Sequence, residues 1–95
     1  MFKILYFTAK WCAPCHYFER VVENVLEEPA LERYFSLTKV DVDVYPDLMN
    51  KYEIMAVPTI VIVDDSGNVL GTVVGAKTSD EFRGFLRYIL NKYLK

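Results

Sequence analysis

The sequence predicts an α/β fold in the order βαβαββα, a four-stranded mixed sheet flanked by helices. Three observations predict it. Phe2–Thr8, rich in aromatic and β-branched residues, runs directly into a segment whose apolar residues recur at helical spacing. Two further β-rich runs, Thr59–Val63 and Val69–Val74, flank the turn-forming stretch Asp64-Asp65-Ser66-Gly67-Asn68. The C-terminal segment opens on a helix-capping signature, Thr78-Ser79-Asp80-Glu81. Strands alternating with helices imply parallel pairing, and a hairpin adds an antiparallel pair.

Each element has its own reason. Phe2–Thr8 places apolar groups on both faces, as a central strand buried on both sides requires. Thr8 to Trp11 turn the chain into a helix from about Ala13, where Pro14 falls in the first turn and costs no hydrogen bond. Phe18, Val21, Val22, Val25 and Leu26 form its core face, and Glu28-Pro29 ends it, because the residue before proline leaves the helical region. Leu37 to Asp43 alternates apolar and polar positions and reads as the second strand, joined to the first by a parallel crossover. Tyr45 to Tyr52 reads as a short helix with Leu48, Met49 and Tyr52 facing inward. The Asp64–Asn68 turn makes the next two strands an antiparallel hairpin. The last helix starts at a capping box and carries Phe82, Phe85, Leu86, Ile89, Leu90 and Tyr93 on one face.

Composition narrows the function. A chain of 95 residues, 53% hydrophobic, makes one domain over 1–95 with a sufficient core and no need of a structural clamp. Eleven basic residues against 13 acidic give net −2, no electrostatic footprint for nucleic acid. The apolar runs are too short to cross a bilayer, and no signal-peptide pattern precedes Phe2. These features imply a cytoplasmic monomer whose thiols are kept reduced.

The chemistry is carried by Trp11-Cys12-Ala13-Pro14-Cys15, which holds the only two cysteines. At a helix N-terminus, unpaired N–H groups and a partial positive charge favour an anion. At Cys12 that anion is a thiolate, the form that attacks disulfides. Cys15, one turn on, is placed to attack the resulting mixed disulfide and release product. A disulfide across so small a loop adds little through chain entropy, so the pair reads as redox-active. His16, four residues after Cys12, can share a helix face with it and lower its pKa if protonated; the alternative is a solvated histidine.

With this motif after a strand, Lys39-Val40-Asp41-Val42-Asp43, Val57-Pro58-Thr59 before the hairpin and Val74-Gly75-Ala76 before the last helix, the chain resembles the thioredoxin family. The resemblance spans nearly the whole chain, lacking the extra N-terminal strand and helix of larger members. It implies a thioredoxin-like fold and a protein-disulfide reductase that binds no cofactor and is recharged by a separate reductase. It implies a cis Pro58, where sequence alone favours trans, with the Val57 backbone pairing with a bound client peptide. Trp11, Val57, Thr59, Gly75 and Ala76 would surround an exposed Cys12. Two departures stand out. Typical members carry a buried aspartate where this chain has Tyr6, with a lysine matched here by Lys39. An aspartate lost and a lysine kept should leave the site more positive, unless Tyr6 simply fills core space. Ala13 replaces a glycine, and His16 a lysine.

Other readings of the same residues are a disulfide oxidant or isomerase and a glutaredoxin-like enzyme, although no basic residues for glutathione carboxylates lie near Pro58. Cys12-Ala13-Pro14-Cys15-His16 also matches the pattern of c-type haem attachment, with Met49 or Met55 as distal ligand. The strand before the motif and the hairpin oppose that reading. Two cysteines and one histidine fall short of a structural zinc site.

Overall fold

The computed structural model describes residues 1–94. In chain order the elements are β1 (Phe2–Thr8), α1 (Ala13–Leu26), α2 (Pro29–Glu32), β2 (Phe35–Asp41), α3 (Pro46–Lys51), β3 (Thr59–Val63), β4 (Val69–Val74) and α4 (Ser79–Tyr93). The sheet order is β2-β1-β3-β4. β1 pairs parallel with β2 and antiparallel with β3, and β3 pairs antiparallel with β4. The mixed four-stranded sheet and the order of its strands along the chain are as the sequence predicts.

The sheet has a core on each face, because alternate residues of its central strands point to opposite sides. Ile4 and Tyr6 of β1 and Ile60 and Ile62 of β3 meet Phe18 and Val22 of α1 and Phe82, Leu86 and Ile89 of α4. Leu5 and Phe7, with Val61 and Val63, face the other way against Leu48 and Met49 of α3 and Tyr52 just after it. None of the α3 residues is fully buried, so that helix is held from one side only. α4 starts at the full capping box, with Glu81 N–H donating to Thr78 Oγ1 at 3.1 Å and Thr78 N–H to Glu81 Oε1 at 2.9 Å. Gly71 lets α4 approach β4: a Cβ there would meet Phe85 and Ile89 side-chain atoms at 3.1 Å.

Two element readings are corrected. The first helix ends at Leu26, short of the Glu28-Pro29 step, and Pro29 then starts the one-turn α2, whose Leu31 is buried at 2% exposure. The second strand runs Phe35–Asp41 rather than Leu37–Asp43. Phe35 pairs with Phe2 and packs ring against ring at 5.7 Å, which extends the strand backward. At its other end Val44 and Tyr45 N–H groups donate to Asp41 O and Asp43 N–H donates to Asp41 Oδ1. That turn ends the strand before Asp43.

Candidate active site

Cys12 is the N-cap of α1, with extended backbone (φ −96°, ψ 102°), and its sulfur accepts the Cys15 N–H at 3.2 Å. Pro14 sits in the first turn, where its missing N–H leaves no gap. Cys12 and Cys15 are joined by a disulfide, with Cα atoms 5.2 Å apart. The expected exposure of Cys12 is corrected. Cys12 is 5% exposed and Cys15 wholly buried, because the Cys12 sulfur is folded over the first turn and lies 3.8 Å from Val57 O.

The segment before β3 faces this pair. The Val57–Pro58 peptide bond is cis. Thr59 Oγ1 donates to Ala56 O at 2.6 Å, and Gly75 N–H donates to Pro58 O at 2.8 Å. Gly75 has φ +89°, a left-handed conformation that a side chain would strain. Of the residues expected around Cys12, Trp11 (70% exposed) and Ala76 are open to solvent, and Val57 and Gly75 are half-buried. Pro58 and Thr59 are buried. Thr59 therefore offers no contact surface: it is the first residue of a strand covered on both faces, and its hydroxyl is spent inside the loop.

Sequence reasoning missed Asp43. Its Oδ2 accepts the Trp11 indole N–H at 2.9 Å, which ties the loop after β2 to the residue beside Cys12. The nearest signal was the run Lys39–Asp43, whose aspartates read only as polar positions of the second strand.

Three modulating positions are placed differently from expectation. His16 Nε2 donates to Lys10 O at 2.8 Å, so its ring turns toward the preceding loop and not to Cys12. Tyr6 is fully buried, edge-on to Phe18, and does more than fill space: its hydroxyl donates to Cys15 O at 2.5 Å. Burial, and secondarily the Glu19 carboxylate, push its pKa well above the usual tyrosine value. Lys39 pairs in register with Tyr6, but its ammonium is bound by Glu23 at 2.7 Å and Glu19 at 3.2 Å. The Glu23 hydrogen bond, with help from Glu19, raises its pKa. Two carboxylates therefore answer the one ammonium, so Lys39 is not an unpaired positive charge.

An open cleft of about 520 Å³ beside Glu23, Leu26 and Phe35 and another of about 330 Å³ beside Leu5, Leu48 and Tyr52 both lie away from the cysteines. The cysteine pair is nearly covered, with only Cys12 reaching the surface, at 5% exposure. A two-cysteine turn at a helix N-terminus, its sulfurs bonded on an α/β sheet, defines a thiol–disulfide oxidoreductase.

Comparison with known proteins agrees. The thioredoxin family model matches residues 2–88. Thioredoxin of Listeria monocytogenes is 37% identical over 90 residues, covering 93% of this chain and 79% of that protein. The thioredoxin structure from Trypanosoma brucei brucei superposes with a TM-score of 0.82 at 33% identity, covering 96% of this chain and 76% of that one. That from Malassezia sympodialis gives 0.82 at 30% identity, covering 92% and 73%. The chain belongs to the thioredoxin family, and its class of activity is protein-disulfide reduction.

Proposed function

We propose that this chain, as one thioredoxin-like domain over 1–95, reduces disulfides of client proteins with Cys12 as nucleophile and Cys15 as resolving thiol. The Cys12 thiolate attacks one sulfur of the client disulfide, and the other sulfur leaves as a thiolate that takes up a proton. Cys15 then loses its proton and attacks Cys12 Sγ. The mixed disulfide breaks, the second client thiol leaves, and the Cys12–Cys15 disulfide remains. Two electrons have passed to the client, so no bound cofactor is needed, and a separate reductase restores the dithiol.

The observation that carries the assignment is Cys12 at the N-cap, its sulfur accepting the Cys15 N–H. A thiolate there keeps that charge-assisted hydrogen bond, whereas Cys15 lies inside the helix with no exposure. Trp11, Val57, Gly75 and Ala76 form the client surface, with Pro58 and Thr59 shaping the loop from behind. The near-neutral charge suits a cytoplasmic monomer that carries electrons between proteins, and no described helix is long and apolar enough to cross a membrane.

Limiting alkylation of the reduced protein tests the roles. Cys12 is expected to label first, with an apparent pKa below the usual ~8.5. Cys15→Ser should accumulate mixed disulfides with a protein substrate, and Cys12→Ser should be inert. Equal labelling of the two thiols at neutral pH would reject the assignment.

A further inference from the structure

Behind Cys15 lies a cluster of charged groups that the exchange of disulfides does not itself use. Tyr6 and Lys39 are partners across the β1–β2 ladder, and partners in register project to the same face of a sheet. Tyr6 reaches Cys15 O at 2.5 Å, and Lys39 reaches Glu19 and Glu23. In an α-helix the same Cys15 carbonyl accepts the N–H of residue 19, so the phenol ends at the root of the Glu19 side chain. One ammonium among two carboxylates leaves a net single negative charge there.

We propose that Glu19 and Glu23 are positioning residues for the resolving step: by clasping Lys39 they place net negative charge behind Cys15 and restrain its release of product. The inference rests on the reading of Cys15 as the resolving thiol. That thiol must lose its proton before it attacks Cys12, and negative charge nearby opposes the thiolate. Because Cys15 is buried, water screens the effect only in part; because the clasp is itself half-exposed, its side chains 31–45% open, the effect is modest. The titratable groups around Cys15 are Cys12 and Glu19 on its own helix and Tyr6 from β1, while Met55–Thr59 before β3 carry no ionisable side chain. Lys39 is faced by Glu19 and Glu23 from α1 and Tyr6 from β1; on its own strand Asp41 is held by the Asp43 N–H. His16 is turned to Lys10 O.

The test is stopped-flow reduction of an aromatic disulfide whose released thiolate absorbs visible light. The first release reports attack by Cys12 and the second reports resolution by Cys15. Glu19→Gln and Glu23→Gln should each move the pH midpoint of the second release down by about half a unit, and Lys39→Met should move it up by a similar amount. Raising the salt should shrink both shifts, and Glu19→Asp, which keeps the charge, should stay near wild type. A merely structural role cannot give opposite signs for the two kinds of variant. Shifts of one sign, or none in variants that unfold as wild type does, would overturn the proposal. Absence of a first release from the wild type would instead reject the roles of the cysteines.

Discussion

Tyr6 shows how one side chain can be read correctly for packing and incompletely for chemistry. Its place in an apolar strand predicts burial, and it is buried. That its hydroxyl would find Cys15 O is set by how deep α1 sits on the sheet, which no local pattern encodes. Tyr6→Phe keeps the ring against Phe18 and leaves the Cys15 carbonyl with only its helical donor. We expect a loss of about 1 to 2 kcal/mol in urea unfolding, with Cys12 attack on a small disulfide changed less than threefold, about 0.65 kcal/mol. A loss in Cys12 attack of tenfold or more would mean that the phenol acts on the nucleophile and not on the helix. Tyr6→Asp should be far worse, removing a packed ring and burying a carboxylate near Glu19.

At the scale of elements, the strands and long helices were legible because each obeys a single period, and the errors fall where another contact decides. The β2 boundary is set by Phe2 against Phe35 and by the Asp41 turn, both of which join distant or non-repetitive residues. α2 is one turn long and has no periodicity to detect. In the site, Cys12, Cys15 and Pro58 were legible from motif, whereas Asp43 became visible only when the fold brought it to Trp11. The helix join adds a prediction of its own. Arg83 of α4 grips Glu28, just before α2, through Nε at 2.9 and 3.0 Å and Nη2 at 2.7 Å. The Arg83 hydrogen bond holds the Glu28 pKa below its ordinary 4.5. A depressed carboxylate contributes stability that is full above the unfolded value and lost as pH falls through the folded one. Glu28→Gln should therefore lower the Tm at pH 7 and flatten the wild-type fall in stability below about pH 4.5. Identical acid profiles for the two proteins would show that the clasp adds nothing.

For the whole molecule, the larger core is built without the disulfide, the core on the other face includes Cys12 and Cys15 among many other buried side chains, and the cross-link closes only a four-residue loop. Reduction should thus cost no more than about 2 kcal/mol of unfolding free energy, measured by urea titration with and without reductant. A reduced protein that is unfolded in buffer would show that the pair is a staple after all. A last consequence follows from the sheet order. β2 lies at one margin and pairs only with β1 among the described residues, so its outer row of backbone groups is a template for a further strand from another molecule. Lys39 interrupts the β-prone stretch Leu37–Val40 with a charge anchored to the neighbouring helix, and so guards against sticking as well as tuning the thiol. Lys39→Val should leave the dilute protein folded, yet at high concentration it should sediment progressively as larger species where the native chain does not.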